Sequence, residues 1–214
     1  MTITLWGRES SANVQKVRWA LAELGLAYEH VPLGGKFGGN NTADYLAMNP
    51  NGLVPTLRDG ELVLWESHAI VRYLAATYGG GTLWPESPPV RAKSDQWVDW
   101  TATTFQQAWI DVFWRAVRTP EPQRDLRTIA QRVAETERCL AILDGQLAKT
   151  EFLAGDRLTY GDIPAGVAMF RWTSMSIARQ RHPNVERWHE AIRSSAYRAT
   201  VEIDYSELVG RLAF

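Results

Sequence analysis

Two dipeptides carry the strongest chemical signal in this 214-residue chain: Val54-Pro55 and, shortly after it, Glu66-Ser67. Proline has no backbone N–H, so Pro55 can stand only at the first residue or the edge of a strand. X-Pro bonds also tolerate the cis form, which bends the chain and exposes the backbone before it. Val54 is thereby placed to offer its N–H and C=O outside the sheet, to a short peptide for example. Glu66-Ser67 stands where a strand hands over to a helix. The N-terminus of a helix presents unpaired N–H groups that favour a carboxylate, and Glu66 can pair with an ammonium group. Together they would hold the head group of an amino acid beside an exposed peptide edge. Taken singly, Ser67 reads as an N-cap and Glu66 as a first-turn charge.

The elements around these pairs follow from local patterns. Thr2 to Trp6 predicts a strand; Val14, Val17, Leu21 and Leu24 then recur at helical spacing until Gly25. Ala27 to Pro32 predicts a second strand, and the Gly-rich run 34–41 a loop. Asp44 to Met48 predicts a short helix. Thr56 to Arg58 and Glu61 to Leu64 predict a hairpin, with Asp59-Gly60 as a type I′ turn. A helix from Ser67 to Tyr78 ends at Gly79-Gly80-Gly81. This order is that of a thioredoxin-like α/β domain, expected over residues 1–80. Trp84-Pro85-Glu86-Ser87-Pro88-Pro89 carries three prolines in six residues and places a linker at 81–89. Residues 90–214 predict an all-α helical bundle domain, with helices carrying Trp97, Trp100, Phe105, Trp109, Phe113 and Trp114, and a further one from about Asp125 to Lys149. Thr159-Tyr160-Gly161-Asp162 reads as a capping box flanked by a Leu158/Ile163 staple. Replacing Asp162 is expected to cost about 0.5–2 kcal/mol of stability, the usual range for a cap.

Composition excludes several functions. Hydrophobic residues make up 45% and charged residues 22%, with a net charge of −1, so no basic surplus calls for nucleic acid or an anionic membrane. No run approaches the roughly 18 uncharged residues of a membrane helix, and Met1 to Trp6 lacks a signal-peptide pattern. A single cysteine, Cys139, excludes an intrachain disulfide and a Cys-x-x-Cys pair. His30, His68, His182 and His189 make no ligand spacing, so no metal is expected. Cytoplasm is the default compartment.

The Val54-Pro55 and Glu66-Ser67 segment resembles the glutathione-binding segment of the cytosolic glutathione transferases, in its bacterial, theta-like and nu-like members. Leu5-Trp6-Gly7 through Val17 to Leu21 resembles the first strand and helix of that family, and Phe152 to Ile163 its second-domain signature. The resemblance spans nearly the whole chain. It implies glutathione as co-substrate, a homodimer, and activation of the glutathione thiol for attack on an electrophilic, largely apolar small molecule. An ordinary thiol has a pKa near 8.5; lowering it by two units takes about 2.7 kcal/mol of preference for the thiolate.

By position relative to Val17, Ser11 matches the thiol-activating serine of theta-, delta- and zeta-like members, and Asn13 the asparagine of nu-like ones. Where tyrosine-type members have an early tyrosine, Trp6 stands here, and no cysteine is present for cysteine-type chemistry. The resemblance assigns Val54, Pro55, Glu66 and Ser67 to glutathione, Lys36 to its glycine carboxylate in place of a basic pair, and Asp99 to the partner subunit's glutathione. Trp109, Phe113 and Arg115 are the candidates for the electrophile pocket. Two other readings stand beside the transferase: a glutathione-dependent disulfide-bond reductase, suggested by Asn13, and a non-catalytic binding protein on the same scaffold.

Overall fold

A computed structural model describes residues 2–211. Met1 and residues 212–214, the ends of the two expected domains, lie outside the described residues. The first part contains β1 (Ile3–Trp6), α1 (Ala12–Glu23), β2 (Tyr28–Val31), α2 (Ala43–Met48), β3 (Thr56–Asp59), β4 (Leu62–Trp65) and α3 (Ser67–Tyr78). Its sheet has the order β2-β1-β3-β4. β1 and β2 are parallel, joined by α1 as a parallel pair requires, and the other two pairings are antiparallel. This is the thioredoxin-like domain expected from the element order.

The hairpin differs from expectation by one residue. Asp59 pairs with Leu62, so the loop is Gly60-Glu61 rather than Asp59-Gly60. Only Gly60 has positive φ there, +58°. A type I′ turn needs positive φ at both loop residues, and Glu61 does not supply it.

The second part contains α4 (Pro88–Trp100), α5 (Gln106–Phe113), α6 (Leu126–Leu147), α7 (Asp162–Ser174), α8 (Pro183–Ala191) and α9 (Ser195–Thr200). Two π-helical segments, Thr101–Phe105 and Trp114–Arg118, lie on either side of α5. Their backbone stays in the helical region at the junctions, so α4 and α5 form one continuous helical run. Periodicity alone gave no sign of them. A π turn holds an extra residue, which rotates every later side chain about the axis.

The helix α1 joins the two parts. Trp19 packs edge-on against Tyr197 of α9 with ring centroids 4.8 Å apart. Gly166 of α7 lies against the same indole: a Cβ there would stand 2.7 Å from Trp19 Cζ3. Five of the ten tryptophans (Trp19, Trp97, Trp109, Trp172 and Trp188) are buried, whereas Trp65 and Trp114 are exposed. Cys139 is buried within α6 as a small apolar residue, and burial raises its thiol pKa.

Asp162 does more than cap α7. Its Oδ2 accepts from the Thr159 backbone N–H at 3.0 Å, one half of the expected capping box, and from the Thr159 hydroxyl at 3.2 Å. The other half is missing, because Thr159 Oγ1 accepts from the Gly161 N–H and Gly161 is the N-cap. Its Oδ1 also accepts from the Leu153 N–H and the Trp188 indole N–H, both at 2.9 Å. One buried carboxylate therefore holds the 152–161 loop and α8 to the start of α7.

Among the described residues, no helix is long and apolar enough to cross a membrane.

Candidate functional site

A cavity of about 740 Å³ opens where the C-terminal end of β1, the loop before β3 and the start of α3 face α5. Two close approaches shape its floor. Gly7 ends β1 at φ +150°, and a Cβ there would lie 2.5 Å from Val14 Cγ2 and 3.2 Å from Val54 Cβ. Only glycine lets the strand pass between α1 and Val54. The Asn-rich loop then fixes the chain before Val54. Asn49 Nδ2 donates to the Leu53 carbonyl at 2.8 Å, the Tyr45 hydroxyl to the same oxygen at 2.6 Å, and Asn40 Nδ2 to the Gly52 carbonyl at 2.8 Å. The Val54-Pro55 bond is cis. Among the described residues, no hydrogen bond engages the N–H or C=O of Val54, so its peptide edge is open.

Glu66 is the N-cap of α3 and has φ +70°, the one non-glycine residue with positive φ among those described. Such a backbone costs of order 1–3 kcal/mol and persists only where its surroundings impose it. Here β4 on one side and α3 on the other leave it no alternative. Glu66 and Ser67 both line the cavity. Glu66 is exposed and Ser67 is buried, and neither side chain has a hydrogen bond within the described residues.

Ser11 is the N-cap of α1 by position, with φ −81° and ψ 122°, but its side chain makes no capping hydrogen bond. Its hydroxyl, like the first N–H groups of α1, is therefore not used by the helix, and Ser11 lines the cavity. The neighbouring Ser10 hydroxyl is committed to Glu207 at 2.5 Å. Asn13 also lines the cavity, while its Oδ1 accepts from Lys16 Nζ at 3.0 Å.

The other expected residues divide. Trp109 and Phe113 line the cavity. Arg115 does not: its guanidinium pairs with Asp111 at 2.9 Å along the same helix. The π segment that begins at Trp114 brings Arg118 to the wall instead, stacked 4.3 Å from the Trp114 ring. Lys36 lies outside the cavity lining as well, because Glu207 Oε2 holds its ammonium at 2.5 Å. That pairing and the Ser10 hydroxyl keep the Glu207 carboxyl below its usual pKa. Asp99 is 68% exposed, lies outside the lining and pairs with Arg72 of α3, which Asp95 also binds at 2.7 Å.

Several wall residues left no local signal in the sequence. Arg8 follows Gly7, and burial, then the Arg118 charge, lower its pKa. Arg171 lies within α7 between Phe170 and Trp172. Its Nη2 donates to the Ser10 carbonyl at 2.7 Å and to Gln15 Oε1 at 2.9 Å. Its Nε and Nη1 have no hydrogen-bond partner among the described residues, and the guanidinium lies over the Tyr205 ring at 4.3 Å. Burial lowers its pKa to about 10, so it is cationic at neutral pH. Arg8, Arg118 and Arg171 thus give one side of the cavity a positive field that favours anions.

Beneath Asn13 lies Lys16, 1% exposed. Its Nζ also bonds His68 Nε2 of α3 at 2.8 Å and Gln106 Oε1 of α5 at 2.5 Å. Burial lowers the amine to about 7, with Glu66 opposing. Burial, Lys16 and Arg72 lower His68 to about 2, so its ring is neutral and accepts from the amine. Among the described residues, no group of three or more His, Cys, Asp or Glu side chains is arranged to hold a metal.

The chain matches the model "Glutathione S-transferase, N-terminal domain" over residues 1–76 and "Glutathione S-transferase, C-terminal domain" over residues 105–196. It is 45% identical over 192 residues to the glutathione S-transferase GstB of Escherichia coli K12, covering 89% of this chain and 92% of that one. A glutathione S-transferase 3 of Zea mays is 31% identical, with 93% of each chain covered. Among solved structures, the theta class glutathione S-transferase of Xanthomonas axonopodis pv. citri with glutathione bound superposes at a TM-score of 0.90 and 46% identity. That match covers 95% of this chain and 98% of the other.

Proposed function

The chain belongs to the glutathione S-transferase family and is a glutathione transferase, and we propose that its cavity holds glutathione with the thiol at Ser11. The carrying observation is the Ser11 hydroxyl, left unused by its own helix, in the same cavity as the open peptide edge of Val54. An extended peptide on that edge would exchange main-chain hydrogen bonds with Val54, in the manner of strand addition. Ser67 and the N–H groups of α3 would take the γ-glutamyl carboxylate, and Glu66 its ammonium. The Ser11 hydroxyl would donate to the sulfur, aided by the first N–H groups of α1 and by the positive wall.

The chemical step is then short. The thiol releases its proton to water, and the hydrogen bonds favour the thiolate. The thiolate attacks an electrophilic carbon, an S–C bond forms, and a leaving group such as halide departs with its electron pair. Trp109, Ile110 and Phe113 give that carbon an apolar surface. The reaction needs no metal and no cofactor besides glutathione. Asn13 supports a second reading, glutathione-dependent reduction of a disulfide. A model disulfide assayed beside an aryl halide separates the two by which one turns over.

The head-group assignment is tested by calorimetric titration with glutathione. Glu66→Ala and Ser67→Ala are each expected to weaken binding about 10- to 100-fold, since a hydrogen bond to a charged group contributes about 1.5–3 kcal/mol. Wild-type affinity in both would defeat the assignment.

The enzyme is proposed to act in the cytoplasm as a homodimer. Leu62, Trp65 and Tyr78, each about 40% exposed, leave apolar surface on β4 and α3 for a second copy to cover. Asp99 reaches the partner's glutathione only by sharing or breaking its Arg72 pair. Asp99→Ala is therefore expected to leave the dimer intact and to lower glutathione affinity by less than about threefold. Sedimentation should give about 48 kDa, twice the 24.1 kDa chain; a fully active monomer would refute the dimer.

A further inference from the structure

We infer that Lys16 is a positioning residue for thiol activation, acting through the side-chain amides of Asn13 and Gln106. The inference rests on the transferase reading and extends it to a residue that the bound peptide does not touch.

An ammonium group has three donors and no acceptor. Lys16 Nζ meets three groups, Asn13 Oδ1 at 3.0 Å, His68 Nε2 at 2.8 Å and Gln106 Oε1 at 2.5 Å. In its protonated form Lys16 can only donate, and that fixes which end of each amide it faces: both oxygens turn toward it. The amide nitrogens are the ends left over, and Asn13 and Gln106 both line the cavity. Among the described residues, neither Asn13 Nδ2 nor Gln106 Nε2 has a hydrogen-bond partner. One buried amine therefore presents two N–H₂ groups, from α1 and from the start of α5, to a cavity that must favour a thiolate.

The third partner completes the placement. His68 lies one residue beyond Ser67, on the helix that would hold the γ-glutamyl head group. Lys16 thus joins the three elements that carry Ser11, Ser67 and Trp109. A purely structural tie between helices would not need its acceptors to be cavity-lining amides. The depressed amine fits the same picture: burial draws it down to about 7, and a thiolate nearby would favour its proton again.

The test measures the pKa of the bound glutathione thiol from its thiolate absorbance, together with kcat and KM for an aryl halide. Lys16→Met is expected to raise the thiol pKa by about one unit and lower kcat about tenfold at pH 6.5, with KM for glutathione within about threefold. Asn13→Asp keeps an oxygen for Lys16 but removes the donor, and should raise the thiol pKa as well. Gln106→Leu keeps Lys16, Asn13 and His68, and supplies the decisive reading should Lys16→Met not fold; an upward shift is expected there too. A wild-type thiol pKa in folded Lys16→Met, or in Gln106→Leu in its place, overturns the inference while leaving the transferase reading standing. If the wild-type protein itself ionises no glutathione thiol, both fall together.

Discussion

Asp162→Ala is expected to cost about 4 kcal/mol or more of folding stability, well beyond the loss of a helix cap. The substitution leaves four buried donors without their acceptor: the backbone N–H groups of Leu153 and Thr159, the Thr159 hydroxyl and the indole N–H of Trp188. Each orphaned buried donor costs about 1–3 kcal/mol, against a total stability of about 5–15 kcal/mol for a typical protein. The Thr159 hydroxyl still accepts from Ser94 Oγ at 3.1 Å, but that bond gives its own proton no acceptor. Urea denaturation followed by tryptophan fluorescence measures the loss. A midpoint within the ordinary cap range of about 0.5–2 kcal/mol would show that the bonds to Leu153 and Trp188 contribute little.

The same carboxylate has a pH signature. Burial raises its pKa to about 6, above the ordinary aspartate value of about 3.9. A raised folded-state pKa means that the native state binds the proton more tightly than the unfolded chain. The stability from this proton is fully present below about pH 4 and is lost as pH rises through about 6. The stability difference between wild type and Asp162→Asn should therefore narrow across that window. A difference that widens would mean that the four hydrogen bonds outweigh desolvation.

Ser11→Ala is expected to lower kcat about 10- to 100-fold near neutral pH, the value of a hydrogen bond to a charged acceptor of about 1.5–3 kcal/mol. Glutathione affinity should change little, because the hydroxyl is assigned to the thiolate and not to the peptide. The fold should also be unaffected, since the Ser11 side chain contributes no capping bond to α1. The thiol pKa in the complex should rise, and the activity loss should shrink toward alkaline pH as the thiol ionises unaided. Unchanged turnover would make Ser11 a cap by position only and pass the role to Asn13.

Other residues near the thiol site show where one sequence signal competes with another. Arg115 and Arg118 both follow an aromatic helix, and spacing from Phe113 does not decide between them. The π segment Trp114–Arg118 decides, because its extra residue turns Arg118 to the cavity while Arg115 closes on Asp111. Lys36 in its Gly-rich loop has the charge to bind a carboxylate, but Glu207, far along the chain, supplies one first.

The sequence by itself determined what depends on neighbours a few residues apart. The strand and helix order follows from hydrophobic period and glycine position. Pro55 marks the strand edge because it lacks an N–H, and Glu66-Ser67 marks the helix start because unpaired N–H groups gather there. Tertiary structure alone decided the partners of buried polar groups. Lys16 faces His68 and Gln106, Arg171 reaches the Ser10 carbonyl, and Asp162 takes up the Trp188 indole, each across a separation that no local pattern records. A buried donor or acceptor must find a partner wherever packing leaves one, and which element supplies it is fixed only when the elements pack together.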